Sequence, residues 1–107
     1  MPLRSEPELA AVAEVFSADV RYTDPMVDVR GADALAATIG AVQAQFPGFV
    51  FRLAGPADAH HDQLRFTWEL GPDGAEAPIA GSDVALLDAD GRISAVLGFL
   101  DRVPAAA

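Results

Sequence analysis

Apolar residues recur with the spacing of an amphipathic helix in two stretches of this chain. Ser5 and Glu8 are spaced as a capping pair ahead of the first stretch, and the second stretch begins near Gly31 and ends at Pro47-Gly48. We therefore predict two helices, each packed through one face on another element. Their apolar stripes are Leu9, Val12, Ala13 and Phe16 in the first, and Leu35, Ile39, Val42 and Phe46 in the second.

Alternation of apolar and polar residues predicts strands through the second half of the chain. The clearest is the run 63–70, in which every second residue is apolar. Turn residues at 71–74 and 88–91 separate the later runs. The predicted strands are 49–54, 63–70, 79–87 and 93–100, after a short early strand at 20–23.

The predicted order is helix, short strand, helix, and then an antiparallel meander of four strands. Helices segregated to one side of an antiparallel sheet define the α+β class. No internal repeat and no low-complexity linker interrupts residues 1–107. We therefore expect a single domain with one core.

Composition narrows the range of partners. The chain of 107 residues has 16 acidic and 7 basic residues, a net charge of −9, and no cysteine. Nucleic acids and anionic membranes favour basic surfaces, so neither is an expected partner. No apolar run approaches the length of a membrane span, and the N-terminus lacks the pattern of a signal peptide. We expect a cytoplasmic protein, with no disulfide and no cysteine metal site.

Two isolated carboxyl groups lie within or beside apolar strands. Asp83 is in phase with Ile79, Ala85 and Leu87, so it faces either the core or the opposite surface, and periodicity leaves both open. Asp24 precedes Pro25, where an Asp most often starts a turn. Two carboxyl groups in differently polar sites can also divide into a base and a protonated donor, if they converge.

His60 is the other candidate for proton transfer or ligand contact. The run His60-His61-Asp62 looks like a metal cluster, but adjacent strand residues point to opposite faces and no further His or Cys completes a zinc set. We therefore expect no metal. His60 shares the strand phase of Phe66 and Trp68, which predicts that it faces the same side as they do.

Tyr22 and Trp68 are the only residues of their kinds. Each is most simply a core aromatic whose polar atom needs a partner, and each could also line a pocket. An apolar pocket in this chain would be lined by the residues Tyr22, Phe66, Trp68, Leu87 and Leu100.

Several short segments stand in a characteristic order. They are Tyr22-Thr23-Asp24-Pro25-Met26, Gly31 at a helix start, Phe46-Pro47-Gly48, His60, the strand 65–70, Gly81-Ser82-Asp83-Val84, and Asp90-Gly91-Arg92-Ile93 continuing to Gly98-Phe99-Leu100-Asp101. Together, over residues 12–102, they resemble the SnoaL-like branch of the NTF2-like superfamily. The resemblance implies a cystatin-like cone: a curved antiparallel sheet packed on N-terminal helices, with a pocket at its open end. It also implies a homodimer through the outer face of the sheet.

The same resemblance implies roles for the two carboxyl groups. In ketosteroid isomerases an Asp directly before Pro, after the first strand, abstracts the proton, and Asp24 matches that position. A second, protonated Asp on a late strand donates to the oxyanion, and Asp83 matches it. Polyketide cyclases of the family place an acid/base Asp on this same strand. The first helix of this chain is expected to be shorter than the family's usual one, and it lacks the catalytic Tyr of the isomerases.

Two classes of function remain open on these grounds. The first is a cofactor-independent enzyme, of isomerase, cyclase or lyase type, in which Asp24 is the base and Asp83, with His60 or Tyr22, stabilises an enolate of a small apolar carbonyl compound. The second is a non-catalytic module of the same fold, which binds a hydrophobic ligand or only dimerises.

Overall fold

The computed structural model of the protein describes residues 12–104. The predicted start of the first helix, at Ser5 and Glu8, lies outside these residues. Residues 12–15 are helical, and one further helix and seven strands follow them. They are β1 (Phe16–Thr23), β2 (Asp28–Arg30), α1 (Ala32–Gln45), β3 (Phe49–Leu53), β4 (Asp58–His60), β5 (Gln63–Pro72), β6 (Ile79–Leu87) and β7 (Ile93–Arg102).

The strands form one curved, unclosed sheet in the order β2-β1-β7-β6-β5-β3, with β4 also paired to β5. The pairs β3–β5, β5–β6 and β6–β7 are antiparallel, which confirms the predicted meander and the α+β class. The exception is β1, which pairs with β7 in parallel. The pairing of β1 with β7 joins the start of the described chain to its end.

Strand β1 is longer than predicted, because Phe16 belongs to it and not to the apolar stripe of the first helix. Phe16 pairs with Ile93 of β7, and the Ser17 hydroxyl donates a hydrogen bond to the Ile93 carbonyl at 2.9 Å. These contacts extend the strand to eight residues. The spacing of Phe16 fits a helical stripe, but its cross-strand partners decide its conformation.

Two three-residue strands, β2 and β4, were not predicted. Strand β2 extends the sheet beyond β1, and β4 pairs with the first residues of β5. Between β4 and β5 the chain reverses within two residues, and His61 there has a left-handed backbone with φ 54°. This reversal decides which way His60 points.

The helix α1 has nearly its predicted bounds. Gly31 precedes it with φ 101°, a conformation that favours glycine, and the Gly31 N–H donates to the Val20 carbonyl at 2.7 Å. The helix packs on β1 and β2 and buries Leu35, Ala36 and Gly40. It therefore covers the β1 side of the sheet and is anchored next to the turn that carries Asp24.

One face of the sheet, here called the inner face, carries the buried side chains Leu70, Ile79, Ala85 and Val96. Cross-strand pairing joins Leu70 to Ile79 and Ala85 to Val96, so all four lie on the same side. The opposite, outer face carries Phe99, which is 63% exposed.

Replacing Leu35 with Ala should lower the free energy of unfolding by about 3 kcal/mol, because it removes a fully buried side chain and leaves a cavity against the sheet. Chemical denaturation measures the loss. The control Gln43→Ala changes an exposed residue of the same helix and should shift stability by less than about 0.5 kcal/mol. Equal effects of the two changes would contradict the packing of α1 on β1.

Candidate functional site

Asp83 lies on the inner face, which settles the orientation that periodicity left open. In the middle of β6 it pairs with Phe66 of β5 on one side and with Gly98 of β7 on the other. Directly paired residues of antiparallel strands project to the same side of a sheet. The carboxyl group therefore shares the inner face with Ala85 and the other core residues.

Gly98 provides the space in which Asp83 and Asp24 meet. A Cβ atom added at residue 98 would lie 2.9 Å from the Asp83 Oδ1 and 3.3 Å from the Asp24 Cβ. The Asp83 Oδ1 and the Asp24 Cβ are therefore at most 2.9 plus 3.3 Å apart, or about 6 Å. The pairing of β6 with β7 is regular at Gly98, so this glycine marks neither a bulge nor a bend. It leaves room for two carboxyl groups.

Asp24 follows β1 and is held by three hydrogen-bond donors. Its Oδ1 accepts the backbone N–H groups of Met26 at 2.8 Å and Val27 at 3.0 Å, which is the turn expected for an Asp before Pro. Its Oδ2 accepts the Tyr22 hydroxyl at 2.8 Å. The turn interpretation is thus confirmed, and the same turn brings Asp24 to Gly98. Turn formation and proximity to Asp83 are compatible.

Trp68 on β5 donates its indole N–H to the Asp83 Oδ1 at 3.0 Å. Its cross-strand partner on β6 is Gly81, and the indole atoms Cζ2 and Cε2 occupy the position that a Cβ at residue 81 would take. Phe51 of β3 packs edge-on against the indole, with ring centroids 5.3 Å apart and an interplanar angle of 66°. Trp68 therefore lies on the inner face beside Asp83 and donates a hydrogen bond to it.

The electrostatic surroundings of the two carboxyl groups favour proton uptake by Asp83. Burial raises the pKa of Asp83, and the negative charges of Asp24 and Asp101 raise it further, whereas the Trp68 hydrogen bond lowers it. Burial and the hydrogen bond to Asp24 also raise the pKa of Tyr22 far above its ordinary value. Tyr22 is therefore neutral at physiological pH, and its hydroxyl donates a hydrogen bond to Asp24.

Apolar side chains share the inner face with Asp83 on β5, β7 and β3. Phe66 is its direct neighbour, Leu100 pairs with Gly81, and Leu53 pairs with Trp68. Phe51 and Leu53 are large apolar residues that are 58% and 65% exposed. Beside Trp68 they form an accessible apolar surface. Neither residue was among those predicted to line a pocket, although their alternation along β3 places them on one face.

Leu87 shares the phase of Asp83 on β6 but lies further along the strand. It lies four residues from Asp83 along β6, about 13 Å away at the rise of an extended strand, and pairs with Ile93 beyond a register shift. A role for Leu87 in a pocket with Asp83 stays a prediction.

The predicted phase of His60 was wrong. Because the chain reverses after it, His60 pairs with Gln63 rather than continuing the alternation of Phe66 and Trp68. Its Nε2 lies 2.6 Å from the Gln63 Nε2, and both side chains are exposed. Gln63 alternates with Leu64, so His60 lies on the outer side of the sheet and away from Asp83.

Residues 12–104 were also compared with the requirements of a metal site and of a membrane-spanning helix. No three His, Cys, Asp or Glu side chains in this part of the chain are placed to hold a metal ion. None of the helices described here is long and apolar enough to cross a membrane.

Comparison with known proteins gives the family. The family model of the SnoaL-like domain matches residues 4–96. A proposed isomerase of the SnoaL-like family from Agrobacterium tumefaciens strain C58 is 36% identical, with a TM-score of 0.85 over 94% of this chain and 86% of that one. No curated protein sequence matches the chain.

More distant structures have the same fold. A proposed SnoaL-like polyketide cyclase from Jannaschia sp. CCS1 is 15% identical, with a TM-score of 0.69 over 87% of this chain and 72% of that one. A protein of unknown function with a cystatin-like fold from Xanthomonas campestris is 24% identical, with a TM-score of 0.69 over 86% of this chain and 77% of that one. Family match, sheet topology and the Agrobacterium structure agree: the chain belongs to the SnoaL-like family.

Proposed function

We propose that this protein binds a small apolar carbonyl compound on the inner face and catalyses an isomerase-type proton transfer without a cofactor. The observation that carries the proposal is the meeting of Asp24 and Asp83 at Gly98, beside an accessible apolar surface. A similar structure that is 36% identical is itself a proposed isomerase, which supports the same class of reaction.

In this proposal Asp83 carries the proton and Asp24 supports it. Asp83 accepts one hydrogen bond and has a raised pKa, so its carboxylate can take a proton and hold it. Asp24 accepts three hydrogen bonds, and its negative charge raises the pKa of Asp83. The assignment therefore differs from the roles implied by the ketosteroid isomerases, in which the position of Asp24 carries the base.

The reaction step is a proton shift along an unsaturated ketone. The Asp83 carboxylate takes a proton from the carbon between the carbonyl and the double bond, and the C–H electron pair forms the dienolate. The carboxylic acid then returns the proton to the γ-carbon, which gives the conjugated enone and regenerates the carboxylate. No oxidant, reductant or co-reactant enters this balance.

The test uses 3-cyclohexenone, a β,γ-unsaturated ketone whose conjugated product absorbs in the ultraviolet. The parent chain should accelerate the appearance of 2-cyclohexenone above the buffer rate, and the Asp83→Asn variant should not. Bulkier β,γ-unsaturated ketones extend the panel, since the apolar surface at Phe51 and Leu53 can contact a larger substrate. A parent chain that accelerates no member of the panel would refute the proposed reaction.

The second candidate is a binding protein without chemistry, favoured by the exposed apolar side chains next to Trp68. Trp68 is the only Trp of the chain, so its fluorescence reports a ligand that settles against it. Binding of the panel compounds without turnover, equal in the parent and the Asp83→Asn variant, would favour this candidate over the enzyme.

We also propose that the protein forms a homodimer through the outer face of the sheet. Phe99 is 63% exposed on that face and pairs with Ser82 of β6, and the next apolar pair along these strands, Val84 and Leu97, is half-buried. An exposed apolar patch of this kind is typical of an interaction surface. A second copy is the proposed occupant, because the resemblance implies self-association through this face.

Replacing Phe99 with Asp should convert the dimer to a monomer, because it places a charge where the exposed ring would contact the second copy. Sedimentation equilibrium measures the change in mass. The control Val103→Asp alters an exposed residue that follows β7, and should leave the mass unchanged. A parent chain that is already monomeric at high concentration would refute the dimer.

A further inference from the structure

The side chain of Trp68 borders an accessible surface, but its indole ring is packed on two sides. Its indole ring lies against the backbone of Gly81, in space that any Cβ at that position would occupy. Phe51 packs on it from the neighbouring strand β3. With one contact on β6 and another on β3, the ring has little freedom to turn, so its N–H has a fixed direction.

The indole N–H points towards Asp83. The other titratable groups near Asp83 are two acidic side chains and one neutral tyrosine. Asp24 and Tyr22 face it from β1 and the following turn, Asp101 acts from β7, and β5 contributes only Phe66 and Trp68. Within residues 12–104 no Arg or His forms an ion pair with Asp83. The indole N–H is therefore the one side-chain donor that the described structure gives to this carboxylate.

We propose that Trp68 is a positioning residue for Asp83: its indole N–H, held in place by the absence of a side chain at Gly81, orients the carboxyl group and stabilises its charged form. A hydrogen bond from an N–H to a carboxylate favours the ionised state. It opposes burial and the negative neighbours, both of which favour protonation. Glycine is required at residue 81 because a Cβ there would collide with the indole ring and with the Phe99 carbonyl oxygen.

The opposing effects of Trp68 and of burial on Asp83 matter for proton transfer, if the proposed function holds. A base must be ionised before it can take a proton and must hold that proton afterwards, so its pKa has to lie near the working pH. Burial and the charge of Asp24 help Asp83 to hold the proton, and the Trp68 hydrogen bond helps Asp83 to be ionised beforehand. Without the indole N–H, a larger fraction of Asp83 would be protonated and unable to act.

The test is a titration that needs no substrate. Carboxyl ¹³C resonances follow each Asp with pH, and the Asp83→Asn variant identifies the Asp83 signal by its loss. Trp68→Phe removes the N–H and keeps an aromatic ring, so the pKa of Asp83 should rise relative to the parent chain. Val50→Ala is the matched control: it changes an exposed residue on the opposite face of β3, away from the indole, and the pKa of Asp83 should stay as in the parent.

The single Trp provides a second, independent readout. In the parent chain the fluorescence of Trp68 should change with pH as Asp83 titrates, because the group that accepts its N–H changes charge. The Asp83→Asn variant should lose this transition. A fluorescence transition that persists in Asp83→Asn would refute the contact.

Kinetics distinguish this proposal from the proposed function. If the isomerisation occurs, Trp68→Phe should lower kcat by about tenfold with little change in KM, the effect of one hydrogen bond to a charged group. The acid limb of the pH profile should move upward with the pKa of Asp83. An unchanged pKa in Trp68→Phe overturns the positioning role even if Asp83→Asn is inactive. A parent chain without activity refutes the enzyme, whereas the titration still decides the role of Trp68.

Discussion

Replacing Asp83 with Asn should lower kcat/KM for the isomerisation of a β,γ-unsaturated ketone by about 10³-fold, the scale of general acid–base catalysis. Asn has the shape of Asp and can still accept the Trp68 N–H, so the geometry around Gly98 is retained. What is lost is the ability to take and return a proton. The measurement is the initial rate of conjugated enone formation at saturating and at low substrate.

Folding controls separate a chemical effect from a structural one. Burial raises the pKa of Asp83 in the folded state, so the folded protein binds its proton more tightly than the unfolded chain does. The stability that this proton contributes is present at low pH and is lost as pH rises through the raised pKa. At neutral pH, therefore, Asp83→Asn should be at least as stable as the parent, and the parent should approach it on acidification.

Two further variants test the division of roles. Asp73→Asn changes an exposed carboxylate in the turn after β5 and should keep the parent rate. Asp24→Asn should reduce the rate less than Asp83→Asn does, because Asp24 supplies charge and holds Tyr22 rather than carrying the proton. A full loss in Asp24→Asn with a partial loss in Asp83→Asn would reverse the assignment, and would restore the roles implied by the ketosteroid isomerases.

The long elements of the fold could be predicted from local patterns, and the short or non-local ones could not. Alternation identifies β5, apolar runs bounded by turn residues identify β6 and β7, and the helix α1 follows from its stripe and its flanking glycines. Strands β2 and β4 have three residues each, too few to show a period. The parallel pairing of β1 with β7 joins residues more than 70 positions apart, and no local pattern encodes it.

The candidate site shows the same division. Asp24 and Asp83 were identified because each is an isolated carboxyl group beside apolar strands, but β6 is apolar on both faces, with Ala85 on one and Val84 on the other. Alternation therefore could not orient Asp83. His60 was misplaced because a two-residue reversal changes the phase of a strand, and the sequence around His61 contains no glycine to mark it.

The glycines of the site were the least predictable feature. Gly81 and Gly98 both lie within strands, where glycine usually weakens pairing or marks a bulge. Their purpose depends on side chains from other strands: the indole of Trp68 over Gly81, and two carboxyl groups at Gly98. Such a role is decided by cross-strand register, which the local sequence does not contain.

Adding a methyl group at Gly98 should therefore impair the site more than the fold. The backbone there is not left-handed, so Ala is compatible with the strand. The new Cβ would lie 2.9 Å from the Asp83 Oδ1 and 3.3 Å from the Asp24 Cβ, tighter than ordinary contacts, so the carboxyl groups must move apart. A misplacement of about 1 Å in a catalytic group can cost roughly 100-fold in rate, and we expect Gly98→Ala to lower kcat by that order.

The matched control is Gly55→Ala, because a Cβ at residue 55 meets no atom within 4 Å and its backbone is not left-handed. It should keep the parent rate and the parent stability. In Gly98→Ala, the Trp68 fluorescence should also change, since Asp83 can no longer hold the same position relative to the indole N–H. If Gly98→Ala retained full activity and an unchanged fluorescence titration, the two carboxyl groups would not act at this glycine. The proton transfer would then have to be assigned to a different part of the inner face.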